Sequence, residues 1–462
     1  MKSRIFFILT IIFLLVIFFT QFKLIKRPIS DNDEGIYLTS FLLVDKGYQA
    51  YKKTYFSQPP GYLLSVYPGF ILFGKTLPAA RLTVGLWSIV GLLAILWLSF
   101  ELKNMWAGLL AIGLLFLIPS YYNQAFTFQS DVLVTTFSLM SLTAMVRFKK
   151  KYYLPWFIIS TVFLNLAFWT KFDITFFPSF IIASFILFKE KETSYKKIVN
   201  LFLVFITVSL GFFIFFILPF GIKQVFYNSI LLRFQAASSS SSPILFDYLK
   251  KDVVLSLIIL VSLSLSLLKR KSIRYPTNIV LLWSIFSLTL FFFYRPLFSH
   301  HLVMLVVPMV LLFSQVIGHF LNDRKLFVPI IVIILIIALS NRIYLTIQSP
   351  TNLVNNQQQN AIEIIETHTN INDIVVSDEE IFNGISGRLP PPELSDVSQV
   401  RIRSNNLTPE NYTKIINTYK PKLIIPWNGR LESIKNFKDN LKDYKLLTSF
   451  SYSKNIYIRI EQ

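Results

Sequence analysis

Two adjacent acids near the N-terminus have the type and position needed for proton transfer at a membrane surface. Asp33 and Glu34 follow an apolar run at residues 5–22 and open the segment DEGIYLTSFLLVDKGY, which is followed by the turn SQPPGY. Apolar positions along that segment predict a helix lying on the membrane surface. A carboxylate group fixed there suits a general base acting on a hydroxyl group that arrives from water. The alternative role is structural, because Ser30, Asp31 and Asp33 all suit the N-cap of that helix.

A further acid begins a later apolar run. Asp131 lies in FTFQSDVLVTTF, at the predicted outer end of that run. An ionisable group beside hydrocarbon is costly unless it faces a wet cavity or a cation. Capping of the helix explains Asp131 equally well, but carboxylate groups contributed by two outer loops together favour a catalytic site.

Basic side chains at the ends of apolar runs are candidates for binding an anion beside these acids. They are Arg81, Lys171, Arg295, His300 and His301. Each is also a type of residue that extends its polar end to the membrane interface. Together they suit a phosphate that gains charge as a glycosyl bond breaks, because preorganised cations stabilise developing negative charge. Adjacent histidines on a helix project in different directions, which argues against a metal site. The sequence therefore specifies no cofactor, and assistance by a divalent cation stays open.

The composition requires a membrane to hold these residues. Of the 462 residues, 53% are hydrophobic and 15% are charged, and the mean hydropathy is +0.55. These values predict a polytopic α-helical membrane protein. The run at 5–22 follows Lys2 and Arg4 without a small-residue cleavage site, so we expect a retained signal anchor. The absence of cysteine excludes disulfides, thiolate metal sites and a cysteine nucleophile.

About eleven apolar runs are long enough to span a bilayer. They lie near 5–22, 77–100, 104–119, 129–147, 153–170, 173–188, 198–220, 252–268, 276–293, 301–321 and 326–344. With a cytoplasmic N-terminus, the inner segments hold 17 Lys+Arg against 4 Asp+Glu, in agreement with the positive-inside rule. The sequence thus predicts a multi-pass protein of the cell membrane with an extracytoplasmic C-terminus.

The net charge of +20 lies entirely in the membrane part. From residue 346 onward the chain has 13 Lys+Arg and 13 Asp+Glu, so 32 basic and 12 acidic residues precede it. The basic excess therefore reflects membrane topology, and a nucleic-acid partner is not expected.

Two domains are expected. Residues 1–345 form a transmembrane catalytic domain, which includes an outer loop at 23–76 with interfacial helices. Residues 346–462 form a small extracytoplasmic α/β domain, because predicted strands alternate with predicted helices. The strands are DIVVSD, KLIIPW and NIYIRI, and the helices are NAIEIIETH, YTKIINTYK and ESIKNFKDNLKDY. The stretch SGRLPPPELSDVSQVRI (386–402) is interpreted as either an ordinary loop or a loop that faces an acceptor.

The arrangement of these motifs resembles a known superfamily. An acidic pair follows the first run, a double proline comes about two dozen residues later, PAARL leads the second run and an acid enters the fourth. With this pattern the sequence resembles the GT-C glycosyltransferases. More narrowly, it is similar to bacterial and archaeal relatives of the dolichyl-phosphate-mannose protein mannosyltransferases (glycosyltransferase family 39) and of the lipid A aminoarabinose transferase. The resemblance covers about residues 1–345.

The resemblance implies roles for individual residues. The family's first outer loop carries the catalytic carboxylate in an Asp-Glu motif, which corresponds to Asp33 and Glu34 and makes Asp33 the base. The family's second acidic position corresponds to Asp131. A basic residue of the late outer loop corresponds to His301 in HHLVMLVVP.

The turn QPPGY departs from the family pattern. Many members have a cation before the double proline that helps to hold a lipid phosphate, whereas this chain has the uncharged Gln58 there and Tyr62 at the end of the turn. Arg81, Arg295 or a histidine would then have to compensate the charge of the phosphate.

The resemblance implies transfer of a single sugar from a polyprenyl-phosphate donor to an acceptor hydroxyl on the outer face of the membrane, with inversion. Expected partners are that donor, a protein, lipid or glycan acceptor, and membrane lipids. A transporter or flippase of lipids or lipid-linked glycans is one alternative, although such proteins usually carry charges near the middle of the membrane and related halves. A polysaccharide polymerase or ligase is another, which the early Asp-Glu pair argues against.

Overall fold

The structure is a computed structural model, and it describes residues 2–172, 195–232, 235, 244–268, 277–295, 297–321, 327–451 and 454–460. The chain divides into two compact units. The first comprises Met1–Ile25, Val84–Phe216 and Ser241–Ser349, and the second comprises Lys26–Thr83, Ile217–Ser240 and Pro350–Gln462. The domain division expected from the sequence, 1–345 and 346–462, stays a prediction.

Apolar helices make up the first unit. They are α1 (Lys2–Leu24), α4 (Leu77–Glu101), which begins in the second unit, α5 (Met105–Leu115), α6 (Pro119–Tyr122), α7 (Asp131–Lys151), α8 (Leu154–Thr170), α9 (Tyr195–Ile217), α11 (Leu245–Lys251), α12 (Val253–Leu268), α13 (Thr277–Phe293), α14 (Val303–Leu321) and α15 (Phe327–Gln348). A 3₁₀ turn at Ser299–Leu302 precedes α14. Within the described residues, six helices are long and apolar enough to cross a membrane, and five more apolar helices are shorter.

The predicted spans coincide with these helices. Ten of the eleven apolar runs overlap a helix of the first unit, and the run at 173–188 lies outside the described residues. The protein is therefore mostly helical, as expected, and the number of helices that cross the membrane stays a prediction. At the end of α4, the buried Glu101 accepts from Arg147 Nη1 at 2.6 Å and from Lys150 Nζ at 2.9 Å, both on α7.

The second unit combines the first predicted outer loop with the C-terminal residues. Its helices are α2 (Asp33–Asp45), α3 (Pro60–Phe73), α10 (Ile222–Phe226), α16 (Asn356–His368), α17 (Ile381–Ser386), α18 (Gln399–Arg403) and α19 (Pro409–Tyr419). A π-helical turn spans Tyr227–Leu231, and short 3₁₀ turns span Pro392–Leu394 and Phe437–Leu441.

A four-stranded sheet forms the centre of the C-terminal part. Its strands are β1 (Val375–Ser377), β2 (Leu423–Ile425), β3 (Tyr444–Ser451) and β4 (Lys454–Arg459), in the order β1-β2-β4-β3. The pair β1/β2 is parallel and the other pairs are antiparallel. The core beneath the sheet includes Val376, Ile424, Leu394, Tyr412 and Ile416.

The small α/β domain is confirmed as a small C-terminal sheet with helices, but one of its predicted helices is wrong. The stretch ESIKNFKDNLKDY forms only a turn of 3₁₀ helix, because Asn436 adopts a left-handed conformation with φ of 63°. The residues that follow form β3, which the sequence analysis did not predict. Most positions of β3 are exposed or half-buried, so the strand lacks the clear alternation that marks a half-buried strand.

Candidate functional site

An ion pair fixes the beginning of α2. Glu34, fully buried, accepts two hydrogen bonds from Arg81, with Nε to Oε1 at 2.8 Å and Nη2 to Oε2 at 2.5 Å. Arg81 Nη1 also donates to the carbonyl oxygen of Arg27 at 2.7 Å. A two-point contact between planar groups restricts both position and orientation. The first turn of α2 is therefore held in one place by a buried charge pair.

Asp33 is the first residue of α2, since the N-cap position is occupied by Asn32. The capping role considered for Asp33 is therefore not the one observed. The Asp33 side chain is half-buried while Glu34 beside it is fully buried, and the Asp33 backbone N–H donates to Asp31 Oδ1 at 3.0 Å. The positive end of the helix dipole favours carboxylate groups in this turn.

The double-proline turn packs against the next turn of the same helix. Gln58 Nε2 donates to the Tyr37 hydroxyl at 2.8 Å, and the Tyr51 hydroxyl donates to the Gln58 carbonyl oxygen at 2.6 Å. The rings of Tyr37 and Tyr62, both buried, lie 5.0 Å apart. Because residues four apart share a helix face, Tyr37 places this polar cluster on the face of α2 that carries Asp33.

The opposite side of α2 contacts the C-terminal part of the unit through two glycines. A Cβ at Gly35 would lie 2.6 Å from the backbone nitrogen of Ile381, and one at Gly384 would lie 2.6 Å from Leu38 Cδ2. The Thr39 hydroxyl donates to the Glu380 carbonyl oxygen at 2.8 Å. Helices α2 and α17 therefore pack backbone to backbone, an approach that only glycine permits.

A cluster of buried acids lies between the carboxyl end of β1 and the beginning of α17. Asp378 accepts from the backbone N–H groups of Trp427, Asn428 and Leu431 at 2.6, 3.0 and 3.0 Å. Glu380 pairs with Arg430 at 2.8 Å. Burial raises the pKa of Glu380 to about 8, although the charge of Arg430 acts in the opposite direction. This cluster was not predicted from the sequence. Its signal is the run DEE at the end of one predicted strand, together with the run NGR after another.

The proline-rich stretch at 386–402 also contacts the first outer loop. The guanidinium group of Arg401 lies 4.4 Å from the ring centroid of Tyr55, and Ser395 Oγ donates to the Tyr55 carbonyl oxygen at 3.4 Å. Arg401 Nη1 donates to the carbonyl oxygens of Glu393 and Asp396 at 2.8 and 2.5 Å. The stretch therefore connects the two parts of the second unit, and an acceptor-facing role for it stays a prediction.

The first unit contains a second buried ion pair. Lys171 Nζ donates to Asp131 Oδ1 at 2.6 Å, and both side chains are only 1% exposed. Asp131 begins α7 and Lys171 follows the end of α8, two helices that pack against each other. Asp131 Oδ2 has no hydrogen-bond partner in the part of the chain that the structure describes. The carboxylate thus binds a cation with one oxygen and leaves the other for a further contact.

The remaining predicted cations cluster before α14 in the same unit. The rings of His300 and His301, both buried, lie 4.4 Å apart, and His301 lies 4.9 Å from the ring of Tyr294. His301 Nδ1 accepts from the backbone N–H of Phe298 at 3.2 Å, and Arg295 Nη1 donates to the Tyr294 carbonyl oxygen at 2.7 Å. Among the described residues, no group of three or more His, Asp and Glu side chains is placed to hold a metal ion.

Comparison with known proteins identifies the architecture. Residues 57–218 match a family model described as dolichyl-phosphate-mannose-protein mannosyltransferase. The structure of ArnT from Cupriavidus metallidurans bound to undecaprenyl phosphate superposes with a TM-score of 0.68 at 14% identity, over 97% of each chain. Its apo state superposes with a TM-score of 0.70 at 13% identity, also over 97% of each chain. The chain has a GT-C fold.

A second relative supports the same conclusion. The oligosaccharyltransferase of Archaeoglobus fulgidus, tethered to an acceptor peptide containing the NVT sequon, superposes with a TM-score of 0.62 at 12% identity. The match covers 100% of this chain and 74% of that chain. Among curated proteins, none matches the sequence. The resemblance to GT-C membrane glycosyltransferases expected from the sequence is confirmed at the level of the fold.

The predicted site residues form two groups in this GT-C fold. Around α2 in the second unit, the structure brings together Asp33, Glu34, Arg81, Gln58 and Tyr62. In the first unit it joins Asp131 to Lys171, and Arg295, His300 and His301 form a cluster around Tyr294. The catalytic and binding roles of these residues remain predictions.

Proposed function

We propose that this multi-pass membrane protein is a glycosyltransferase that moves one sugar from a polyprenyl-phosphate donor to an acceptor hydroxyl, with inversion. The observation that carries the proposal is the buried Glu34–Arg81 pair, which fixes the first turn of α2 while the adjacent Asp33 remains half-buried. A carboxylate group placed in this way on a rigid helix suits a general base. The GT-C fold, shared with a protein that binds undecaprenyl phosphate, supports the choice of donor.

Asp33 is the base in this mechanism. Its carboxylate takes the proton of the acceptor hydroxyl as the hydroxyl oxygen attacks the anomeric carbon of the sugar. The bond from that carbon to the phosphate oxygen breaks, and the polyprenyl phosphate leaves with the electron pair. A single displacement of this kind inverts the anomeric configuration. Glu34 acts through its ion pair with Arg81 and positions Asp33.

Asp131 contributes a second carboxylate. Lys171 holds one oxygen of this buried group, and the other has no partner among the described residues. We assign this oxygen to a hydroxyl group of the donor sugar or the acceptor, because a buried acceptor atom gains most from a partner that arrives with the substrate. Assistance by a divalent cation is not required in this mechanism.

The orientation follows from the charge distribution along the sequence. The N-terminus is cytoplasmic, and the reaction takes place on the outer face, where a protein, lipid or glycan acceptor is reached from water. Membrane lipids surround the apolar helices, and nucleic acid has no role.

The test compares Asp33→Asn with wild type in a sugar-transfer assay. The purified protein is incubated in detergent with a radiolabelled polyprenyl-phosphate sugar and a membrane extract, and transferred radioactivity is counted. We expect turnover in the wild type and a loss of at least about 100-fold in the variant, in the range of a missing general base. Asp45→Asn is the matched control, because Asp45 ends the same helix and pairs with Lys75 at 2.8 Å on a partly exposed surface.

Two outcomes would contradict the proposal. Equal turnover of Asp33→Asn and wild type would move the base to Glu34 or Asp131. A wild type that binds the lipid-linked sugar but transfers none of it to any fraction of the extract would instead support a transporter of lipid-linked glycans.

A further inference from the structure

A buried arginine in the last apolar helix of the first unit has no acidic partner among the described residues. Arg342 belongs to α15, which is long and apolar enough to cross a membrane, and its side chain is only 1% exposed. Its Cζ atom lies 3.2 Å from the ring centroid of Tyr122. Its Nε and Nη2 atoms have no hydrogen-bond partner within the described ranges. The salt bridges formed by the described residues do not include Arg342.

Two other arginines of the apolar helices differ in this respect. Arg81 is paired with Glu34, and Arg147 with Glu101. An arginine stays protonated in proteins, and a buried charge without a counter-charge is strongly unfavourable. Because the described part of the chain supplies no carboxylate to Arg342, a bound anion is the natural source of the missing charge.

Neighbouring side chains lack partners as well. Thr346 lies one helical turn after Arg342 on the same face of α15, is 6% exposed, and its hydroxyl has no hydrogen-bond partner among the described residues. Helix α1 packs against α15 and carries the fully buried Gln21, whose amide oxygen and nitrogen both lack a partner in the same part of the chain. Arg342 and Thr346 thus present, on one face of α15, donors that lack acceptors among the described residues, and this indicates a ligand with several acceptor oxygens, as a phosphate group has.

We propose that Arg342 and Thr346 bind the phosphate group of a lipid. The other faces of α15 expose Ile343, Tyr344 and Ile347, at 43, 57 and 69%, so an anion that carries a hydrocarbon chain has apolar surface to lie against. That the lipid is a polyprenyl phosphate rests on the function proposed above. A phosphate bound at this site leaves Arg81 and Lys171 in their ion pairs.

The site is adjacent to the histidine cluster of the same unit. Tyr122, which stacks on Arg342, ends α6, and α6 packs against the 3₁₀ turn that carries His300 and His301. Arg342 and the 3₁₀ turn that carries the histidines therefore contact the same short helix, α6.

The test measures stabilisation of the full chain by defined probes in phosphatidylcholine nanodiscs. The probes are undecaprenyl phosphate, undecaprenol, phosphatidylglycerol and inorganic phosphate, and the readouts are the rise in unfolding temperature and the dissociation constant from native mass spectrometry. The variants are Arg342→Met and Thr346→Val. Arg147→Met is the matched control, because it removes an arginine from a membrane helix while Lys150 remains paired with Glu101.

We expect undecaprenyl phosphate to stabilise the wild type and Arg147→Met equally. Arg342→Met should bind it about 10- to 100-fold more weakly, in the range of a lost hydrogen bond to a charged group, and Thr346→Val a few-fold more weakly. Without ligand, Arg342→Met should unfold at the same or a higher temperature than the wild type, because it removes an uncompensated buried charge. A purely structural arginine would give a lower unfolding temperature.

Several results would overturn the proposal. Equal affinity of Arg342→Met and wild type for undecaprenyl phosphate would show that Arg342 does not bind the phosphate group. Equal stabilisation by undecaprenol would show that the hydrocarbon chain alone is recognised. Equal stabilisation by phosphatidylglycerol or by inorganic phosphate would assign the site to an ordinary membrane lipid or to a free ion and not to the carrier.

Failure of this inference differs from failure of the proposed function. A protein that transfers sugar while Arg342→Met binds the carrier normally refutes only the inference. If the protein binds undecaprenyl phosphate through Arg342 but transfers no sugar, only the proposed glycosyltransferase activity is refuted.

Discussion

Each unit contains one buried carboxylate–cation pair made of residues predicted as functional, and the two pairs differ in how many carboxylate oxygens are bonded. In the second unit both oxygens of Glu34 accept from Arg81. In the first unit Lys171 reaches only one oxygen of Asp131, and the other has no partner in the part of the chain described by the structure. The Glu34–Arg81 pair, in which both carboxylate oxygens are bonded, serves as an anchor. The Asp131–Lys171 pair has one carboxylate oxygen that can accept a hydrogen bond from another group.

Arg81→Met is expected to have the largest effect and to establish the first pair as an anchor. It leaves Glu34 as a buried charge without its partner, so the free energy of unfolding should fall by about 3–5 kcal/mol. The measurement is unfolding of the purified protein in detergent. The double variant Glu34→Met/Arg81→Met should regain much of the loss, and a double variant as unstable as Arg81→Met would show that the pair itself is not the source.

Asp131→Asn tests the second pair. The amide oxygen of Asn keeps a hydrogen-bond acceptor for Lys171 but leaves its buried ammonium group without a counter-charge, so the free energy of unfolding should also fall, by less than in Arg81→Met. Sugar transfer should fall by about 10²–10³-fold, the scale found when one preorganised polar contact to the transition state is removed. If Asp131→Asn lost stability and turnover in the same proportion as Arg81→Met, the distinction between anchor and open pair would be wrong.

Gly35→Ala asks whether the anchored helix also needs the C-terminal part of its unit. The added methyl group would lie 2.6 Å from the backbone nitrogen of Ile381, and forcing α2 and α17 apart should cost about 1–3 kcal/mol of unfolding free energy. Gly211→Ala is the control, because a Cβ there meets nothing within 4 Å. We expect transfer activity to fall in Gly35→Ala and to be retained in Gly211→Ala. Equal activity in the two variants would show that transfer does not depend on the contact between α2 and α17.

The smallest effect is expected at the Glu380–Arg430 pair, where the free energy of unfolding should depend on pH. Burial raises the pKa of Glu380 to about 8 in the folded state, so the protonated form contributes stability below its unfolded pKa, and this contribution is lost as the pH rises toward 8. Between pH 6 and pH 7 the free energy of unfolding should fall by at most about 1.4 kcal/mol. Glu380→Gln should flatten that slope in unfolding measurements; an unchanged slope would assign it to another group, such as Glu379, whose pKa burial also raises.

The sequence predicted more of the helices than of their contacts. Apolar runs and basic inner segments located ten helices because membrane burial acts on every residue of a span. The need for glycine at position 384 was not predictable, because it comes from a close contact with Leu38, which lies far away along the chain. The partner of Arg81 was missed for the same reason, because the arginine in PAARL indicates a cation but not its carboxylate.

Arg342 shows a different limit. It lies in IALSNRIYLTIQ, where an arginine near the end of an apolar run is ordinarily interpreted as an interface residue. Arg342 is distinguished from such a residue only by its nitrogen atoms that lack partners among the described residues, together with the buried hydroxyl of Thr346. A sequence carries no signal for a missing partner.

The contact between Thr39 and the carbonyl oxygen of Glu380 spans 341 residues of sequence. During synthesis α2 is therefore made long before α17, the helix against which it packs. The proposed base is set in its final position only after α17 has been translated and folded. A chain that stops before α17 would carry Asp33 without the helix that supports it, and the proposed reaction would require that helix to be present.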